Sequence, residues 1–411
     1  MKFTKKAISF VLMMALCLSG TSIANAVTYI PDYDGINALY WVDNICYNID
    51  FKDNKAQFWE ENITGDTLVL PESVTFEGKK YPVTRYLASD LVTENPNAPV
   101  SKIQHVILPD TIETVSVSSK LLPNLKSINI PKNAEFIYIT VGSNVKITVP
   151  ADQKYYYEKN NALYSKKEPT VMCLPLAIPE NYTVAEGTTK ICSFNSNRVV
   201  KKITLPKSVT AISQSTFSSC ENLKTVNMEK TQIKKLRSHT FSNTAKLTTV
   251  KLPKQLKTIG EFSFSDSGLE KLTLPKHLKK IEDYAFDGAK FKKIVIPDSV
   301  TYFGSTVFRD CTSLKEVVLP KNLRSIGTST FENCIKLKKI TFRDTKTAPK
   351  FVKKGTIFKD CPKGIKLYVK NKKVAKSLKK QLMKTSIKKA KIYAGKKLVY
   401  KNVTGKEKIR Y

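Results

Sequence analysis

The stretch that decides the fold is Leu314-Lys-Glu-Val-Val-Leu-Pro-Lys-Asn-Leu-Arg-Ser-Ile-Gly-Thr-Ser-Thr-Phe-Glu-Asn-Cys334. It opens with a short apolar alternation that ends at Pro320, and the same alternation recurs before four other prolines. In two further copies Glu229 and Arg343 occupy the proline place, and the seven marks are then spaced 23, 24, 22, 22, 23 and 23 residues apart. A fixed period of this length indicates stacked repeats. The five proline marks are Pro206, Pro253, Pro275, Pro297 and Pro320.

A second pattern follows each proline. The eleventh residue after it is always phenylalanine, the third and sixth are aliphatic or aromatic, and the fourteenth is small. The phenylalanines are Phe217, Phe264, Phe286, Phe308 and Phe331. The small residues are Cys220, Ser267, Ala289, Cys311 and Cys334.

These units predict a solenoid. Each begins with a short strand whose alternate side chains point inward, and proline ends that strand because it cannot donate to a ladder. One unit of 22–24 residues cannot bury its apolar side alone, whereas stacked units share a core and form a parallel sheet. Burial of each phenylalanine contributes roughly 1.5–3 kcal/mol, so the row of rings should form a main part of that core.

The full pattern, Leu-x-x-Ile-x-Leu-Pro-x-x-Leu-x-x-Ile-x-x-x-x-Phe-x-x-Cys, resembles the BspA-like family of bacterial leucine-rich repeats. It stands here as Leu314 to Cys334, with Val317 in the first Ile place. The resemblance covers most of residues 64–370 and is strict in 199–361. It implies a curved, right-handed leucine-rich-repeat solenoid, β-rich with a parallel sheet, in a secreted or cell-surface protein, and some members of the family are adhesins.

The chain is predicted to divide into five parts. Residues 1–26 form a signal peptide, 27–100 an N-terminal cap with the first degenerate units, and 101–198 degenerate repeats. Residues 199–364 form the regular repeats and 365–411 a small α+β C-terminal cap. A hairpin insertion is expected near 155–175, with Asn160-Asn161 as its turn, whereas 132–150 shows no clear ladder.

The N-terminus has the pattern of an export signal. Lys2, Lys5 and Lys6 precede an apolar stretch at 7–18, and Ala24-Asn25-Ala26 has the form of a cleavage site before Val27. No later segment reaches the 18 apolar residues of a membrane span. We therefore expect an exported chain, secreted or at the cell surface, with no transmembrane segment after cleavage.

Composition limits the classes of function. The 411 residues carry a net charge of +34, and 3 His and 8 Cys leave little material for metal or His-based catalysis. No Ser/His/Asp or Cys/His arrangement, no C-x-x-C pair and no Gly-rich phosphate loop is present. We expect no enzyme activity, no cofactor, no metal and no catalytic residue.

The cysteines admit two interpretations. Cys220, Cys311, Cys334 and Cys361 each follow a repeat phenylalanine by three residues, which favours small buried thiols. Cys311 and Cys334 fall on adjacent coils and could bridge in an oxidising compartment, so a disulfide remains an alternative. Cys46, Cys173 and Cys192 have no partner that the sequence reveals.

The outward strand positions form a candidate binding strip. Counting back from each mark, residues −1 and −3 point to the core, so −2 and −4 point outward. In a curved array this face commonly binds ligand, although a solvated face rich in Lys and Thr for solubility would look the same. The strip consists of Lys202, Thr204, Thr225, Asn227, Thr249, Lys251, Lys271, Thr273, Lys293, Val295, Glu316, Val318, Lys339 and Thr341.

Two functions are compatible with these features. The first is recognition of a protein or glycan at a cell or host surface through the strip, as in adhesion. The second is a structural envelope protein retained on anionic cell-wall polymers by its basic end, because residues 350–411 contain 22 Lys or Arg residues against 2 acidic residues. A strip dominated by Lys without aromatic stacking residues argues against a nucleic-acid reader.

Overall fold

The structure is a computed structural model that describes residues 37–61, 65–88, 102–118, 121–141, 145–176, 178–321, 323–343, 347–352 and 355–405. The predicted signal peptide at 1–26 lies outside these residues. The chain divides into two compact units, Met1–Lys167 and Glu168–Tyr411.

The first unit starts with an antiparallel sheet that continues into parallel coils. β1, β2 and β3 pair antiparallel, and β3, β6, β8 and β10 then pair in parallel. A second parallel sheet has the order β11-β9-β7-β4. The strands are β1 (Asn37–Val42), β2 (Ile45–Asp50), β3 (Lys55–Glu61), β4 (Thr67–Val69), β5 (Ser73–Phe76), β6 (Lys79–Ala88), β7 (His105–Ile107), β8 (Thr114–Ser118), β9 (Ser127–Asn129), β10 (Phe136–Thr140), β11 (Lys146–Thr148), β12 (Tyr156–Lys159) and β13 (Ala162–Ser165).

Two sequence expectations are decided in this unit. The hairpin is present as β12 and β13, and Asn160 and Asn161 both adopt positive φ, as a two-residue type I′ turn requires. The sequence shows no clear ladder in 132–150, but β10 and β11 both pair in parallel there. Phe136 and Tyr138 in β10 are exposed, so its apolar alternation is hard to recognise.

The second unit is the regular solenoid. Most coils supply one strand to a first row of parallel sheets and a second strand, usually shorter, to a second row. The first row holds β15 (Asn181–Thr183), β17 (Lys202–Thr204), β19 (Thr225–Asn227), β21 (Thr249–Lys251), β24 (Lys293–Val295), β26 (Glu316–Leu319), β28 (Lys339–Phe342) and β30 (Lys366–Val369). The second row holds β14 (Val171–Pro175), β16 (Lys190–Ile191), β18 (Ala211–Ile212), β20 (Lys235–Leu236), β22 (Thr258–Ile259), β23 (Lys280–Ile281), β25 (Tyr302–Phe303), β27 (Ser325–Ile326) and β29 (Lys350–Phe351).

A stack of phenylalanine rings runs through the core of this unit. The five predicted rings are joined by Phe194, Phe241 and Phe358, all at most 2% exposed. Successive ring centroids lie 5.2–5.9 Å apart. The predicted leucine-rich-repeat solenoid with parallel sheets is thereby confirmed.

The C-terminal cap closes the array with a helix and a hairpin. A 3-10 turn at Gly355–Phe358 precedes β30, and the helix α1 (Lys372–Leu382) follows it, with the side chain of Asn371 accepting a hydrogen bond from the Val374 amide. Val374, Leu378 and Leu382 are buried under α1. β31 (Ala390–Ala394) pairs with β30 in parallel and with β32 (Lys397–Val403) in an antiparallel hairpin.

One part of the predicted ladder is absent. The segment holding Lys271 and Thr273 contains no strand among the described residues, so the first row is split into β15-β17-β19-β21 and β24-β26-β28-β30-β31-β32. The connection from the repeat phenylalanine to the inward residue is one residue shorter here, from Phe264 to Leu272, than in the preceding coil. The candidate strip is therefore two patches rather than one continuous surface.

Candidate functional site

The strands of the first row present the strip residues outward, as their alternation dictates. In β17 the inward Ile203 is buried while Lys202 is exposed, and β24 repeats this arrangement with Ile294 between Lys293 and Val295. None of the fourteen strip residues is buried. Twelve of them lie on strands, and the parallel pairing brings them into register.

The first patch, which we name the N-terminal patch, lies on β17, β19 and β21. One row aligns Lys202, Thr225 and Thr249, and the other aligns Thr204, Asn227 and Lys251. Hydroxyl, amide and ammonium groups thus repeat at the strand spacing of about 4.8 Å. Such a surface can donate several parallel hydrogen bonds to an extended polar ligand.

The second patch, the C-terminal patch, lies on β24, β26 and β28 and contains an internal ion cluster. Glu316 Oε2 lies 3.3 Å from Lys293 Nζ, and Glu316 Oε1 lies 3.1 Å from Lys339 Nζ. Burial acts to raise the pKa of the Glu316 carboxyl, but the two ammonium groups outweigh it and hold that pKa below its usual value. Lys293 and Lys339 are therefore partly neutralised.

The C-terminal patch continues into the cap, which the sequence reading did not foresee. Lys339 is in register with Lys366 and that residue with Lys391, while Thr341, Tyr368 and Tyr393 align in the other row. The two tyrosine rings stack with their centroids 4.7 Å apart. Lys339 Nζ lies 5.2 Å from the centroid of the Tyr368 ring. Aromatic groups therefore do occur on this surface.

A sequence signal for this extension exists. The pair Lys366-x-Tyr368 repeats the Lys-x-hydroxyl pattern of Lys339-x-Thr341, and both precede an inward apolar residue. The spacing of 27 residues, longer than the period of the array, hides the match. The sequence pattern therefore assigns Lys366 and Tyr368 to the cap alone.

The buried cysteines act as hydrogen-bond donors to the preceding coil. Cys311 Sγ donates to the Phe286 carbonyl oxygen at 3.0 Å, and Cys334 Sγ donates to that of Phe308 at 3.0 Å. Cys220 and Cys361 make the same bond to Phe194 and Phe331. Each thiol therefore points to a backbone carbonyl of the preceding coil. Cys311 and Cys334 do not form a disulfide with each other.

No group of three or more His, Cys, Asp or Glu side chains that could hold a metal ion occurs in the part of the chain that the structure describes. Within those same residues, no helix has the length and apolarity to cross a membrane.

Comparison with known proteins identifies the repeat. The model of the BspA type leucine-rich repeat region matches six copies, over residues 180–289 and 234–365. The repeats over residues 180–365 are BspA-type leucine-rich repeats. The matched copies contain all fourteen strip residues, so the candidate surface is part of the repeat itself. No curated protein sequence matches the chain significantly.

Solved structures similar to this chain are bacterial leucine-rich-repeat proteins. The T. pallidum leucine-rich repeat protein is 20% identical with a TM-score of 0.36, covering 57% of this chain and 96% of its own. The pneumococcal vaccine antigen PcpA is 17% identical with a TM-score of 0.39, covering 89% of this chain and 99% of its own. A leucine-rich-repeat protein from Bacteroides ovatus is 18% identical with a TM-score of 0.32, covering 82% of this chain and 96% of its own. At these scores the likeness carries no argument about function.

Proposed function

We propose that this protein binds a protein or glycan ligand at a cell or host surface, as in adhesion, and performs no catalysis. The observation that carries this proposal is the register of the N-terminal and C-terminal patches. Their Lys, Thr, Asn and Tyr side chains stand in straight rows on strands held by a continuous core. Rows of this kind fit an extended or repetitive ligand surface better than a small substrate.

The binding energy would come from many weak contacts on a rigid array. Because the strands are already ordered, little conformational entropy is lost when the ligand binds. Positive rows raise the association rate for ligands with negative surfaces. The lysines outside the Glu316 cluster, the exposed Lys202 and Lys366 and the half-buried Lys391, are the best placed for this role.

An exported location supports the proposal. The sequence pattern at 1–26 is that of a signal peptide, and the BspA-type resemblance implies secreted or surface proteins. A ligand on a cell or a host would be accessible to a protein in that location.

A charge-reversal variant with matched controls tests the strip together with its extension into the cap, which contains Lys366 and Lys391. We expect Lys202→Glu, Lys366→Glu and Lys391→Glu together to weaken binding by about tenfold or more. Binding is measured by surface plasmon resonance against extracellular-matrix proteins, surface glycans and purified wall polymer, at about 0.15 M and 1 M salt. The control reverses Lys234, Lys257 and Lys279, three exposed lysines beside the second row of strands, with the same change in net charge.

The outcomes separate the explanations. Unchanged binding by a strip variant that remains folded, as judged by circular dichroism, removes the strip from consideration. Equal loss in both variants indicates attraction to net charge alone.

The second candidate function is retention on anionic wall polymer through residues 350–411. It is favoured by the exposed lysines on α1, among them Lys372, Lys373 and Lys376, which leave its outer face basic. In the same experiment this function predicts binding to wall polymer that disappears at the higher salt concentration. Because Lys366 and Lys391 also lie in 350–411, its separate test is reversal of Lys372, Lys373 and Lys376, which should abolish binding to wall polymer and leave binding through the strip unchanged.

A further inference from the structure

The gap in the first row of strands opens a groove within the candidate surface. In the regular array the Thr249 amide donates to the Lys224 carbonyl at 3.1 Å, and the Met228 amide donates to the Lys251 carbonyl at 3.0 Å. Among the described residues, the equivalent bonds of the next coil, from Lys271 to Thr248 and from Leu252 to Thr273, do not form. β21 is thus an open edge.

The backbone of that edge has unsatisfied bonding capacity. In a parallel strand, alternate residues direct their N–H and C=O groups to opposite sides. The N–H and C=O groups of Thr249 and Lys251 point toward β19. Val250 lies between them, so its N–H and C=O groups both point toward the gap. A free strand edge of this kind is a template for pairing with another extended chain.

The groove also reaches the apolar interior. Val250 is 9% exposed, whereas the matching inward residues Ile203 and Ile294 are 0% and 1% exposed. Leu252 and Leu274 are 7% and 8% exposed, against 3% and 0% for the matching Leu205 and Ile296. Leu272, an inward residue by the repeat pattern, is half-buried. The volume is about 970 Å³, at the upper end of the range of about 300–1,000 Å³ for ligand pockets, which suits a short peptide segment.

The rim of the groove is basic. Lys251, Lys254, Lys271 and Lys276 line it, together with the single carboxylate Glu229. None of these lysines takes part in an ion pair among the described residues. The charge therefore favours an acidic occupant.

We propose that the groove binds an extended peptide segment of a protein ligand, with acidic side chains, which pairs as an added strand with the edge of β21. Alternate apolar side chains of the segment would enter the gap between Val250 and Leu272, and its acidic side chains would meet the lysines of the rim. A glycan, or a wall polymer without a peptide part, lacks the amide series that the edge of β21 requires. This inference rests on the proposed function and narrows its ligand to a protein.

A synthetic peptide tests the groove in the full-length protein. The probe is fluorescently labelled Glu-Val-Glu-Val-Glu with blocked termini, and binding is followed by fluorescence anisotropy. We expect saturable binding that Lys251→Glu with Lys271→Glu weakens by about tenfold, while the control Lys234→Glu with Lys257→Glu leaves it unchanged. A peptide N-methylated at every residue cannot donate amide hydrogen bonds. Its affinity for the unmodified protein should be no higher than that of the unmethylated peptide for the Lys251→Glu, Lys271→Glu variant.

Three results would contradict the proposal that the groove binds an extended peptide. These are the absence of saturable binding, equal binding of the N-methylated peptide, and displacement of the peptide by inorganic polyphosphate at the same charge concentration.

Failure of the groove proposal is distinguishable from failure of the proposed function. If the peptide does not bind but the Lys202, Lys366 and Lys391 variant still loses surface binding, the strip stands without the groove. If the peptide binds while that variant retains surface binding, the groove stands without the strip.

A second inference concerns two cysteines on neighbouring strands. β14 and β16 pair in parallel with Met172 opposite Ile191, and the Cys192 amide donates to the Met172 carbonyl at 2.8 Å. Cys173 and Cys192 therefore occupy the next paired position. Met172 and Ile191 are buried, so both cysteines lie on the outer side, and both are half-buried. Adjacent strands about 4.8 Å apart fall within the range of Cα separations of about 4.4–6.8 Å that disulfides span.

The reactivity of this pair differs from that of the buried thiols. A hydrogen bond from Cys173 lowers the pKa of Cys192 to about 6, with burial opposing it and Ser213 assisting. Burial raises the pKa of Cys220 and of Cys361 to about 12. It also raises the pKa values of Cys311 and Cys334. Since the thiolate is the reactive form, Cys192 is the thiol poised to react.

We infer that Cys173 and Cys192 form a disulfide when the protein meets a disulfide oxidant, either a small-molecule disulfide or the disulfide form of an oxidoreductase. The Cys192 thiolate attacks one oxidant sulfur, so a mixed disulfide forms and one oxidant thiolate leaves. The Cys173 thiol loses its proton and attacks Cys192 Sγ, which releases the second oxidant thiolate. The two cysteines lose two protons and two electrons, and the oxidant takes up both electrons as it becomes two thiols.

Peptide mapping tests the cross-link directly. The full-length protein is treated with oxidised glutathione, alkylated under denaturing conditions and digested with trypsin. Because cleavage after Lys190 separates the two cysteines, the disulfide should join the peptide 168–190 to the peptide 191–198. In Cys173→Ser we expect Cys192 to remain as a glutathione adduct, whereas Cys311→Ser should leave the cross-link unchanged. Full alkylation of both cysteines after oxidation, or preferential bridging of Cys311 to Cys334, would refute the inference.

Discussion

Replacing Phe308 with alanine should lower the free energy of unfolding by about 3–5 kcal/mol, the usual cost of removing a large core side chain. The ring is 0% exposed and stacks between Phe286 at 5.6 Å and Phe331 at 5.9 Å, with Phe303 at 5.7 Å on a third side. The cavity left behind would interrupt the ring stack between two coils. Small residues from neighbouring coils cannot fill it, because the strands on both sides hold their spacing.

Urea denaturation followed by circular dichroism measures this effect. The matched control is Ile335→Ala, an apolar residue in the next coil that is 50% exposed and should change the stability by less than about 0.5 kcal/mol. A loss below about 1 kcal/mol in Phe308→Ala would place the ring outside a packed core and contradict the stacked-coil arrangement.

Replacing Gly268 with alanine is expected to destabilise the second unit by about 1–3 kcal/mol, as overpacking does. A Cβ at this position would lie 2.1 Å from the Ala245 carbonyl oxygen and 2.9 Å from its carbonyl carbon, both of them backbone atoms of the preceding coil. The Gly268 amide donates to the Thr244 carbonyl at 3.1 Å. Backbone cannot move aside as a flexible side chain can, so the two coils would have to separate.

Whether Gly268→Ala raises or lowers the free energy of unfolding shows whether the two coils are in contact at this position. Glycine to alanine without a clash stabilises a protein by about 0.4–1 kcal/mol, since it reduces the entropy of the unfolded chain. The control Lys290→Ala changes the same repeat position, four residues after the repeat phenylalanine, in the next coil, where the side chain is exposed. A stability gain in Gly268→Ala, measured in the same denaturation experiment, would show that the coils are not in contact at this point.

The local pattern was sufficient to predict the core rows but not every member. The five phenylalanines that follow a proline by eleven residues were all predicted, and all are buried. Phe241 was not, because its coil has Glu229 in the proline place and one extra residue before the ring. Phe194 lies where the repeat is degenerate, so only its stacking on Phe217 reveals its role. Phe358 was recognisable from Cys361 three residues after it, and the structure stacks it on Phe331.

The candidate surface was predicted in the same partial way. Alternation identified which side of each strand faces solvent, and none of the fourteen residues is buried. It could not show that Lys271 and Thr273 leave the ladder, because their residue pattern matches that of the coils that pair. Nor could it show that Tyr368 and Tyr393 extend the C-terminal patch, since that depends on which strands the cap places beside β28.

The sequence by itself determined the repeat length, the inward and outward faces and the row of phenylalanines, because these depend only on spacing along one chain segment. Tertiary structure alone decided the open edge at β21, the pairing of Cys173 with Cys192 and the tyrosine extension. Each of those depends on the register between different coils, and a hydrogen-bonded ladder forms only where the neighbouring backbone comes within about 3 Å. No residue pattern within one coil encodes that distance.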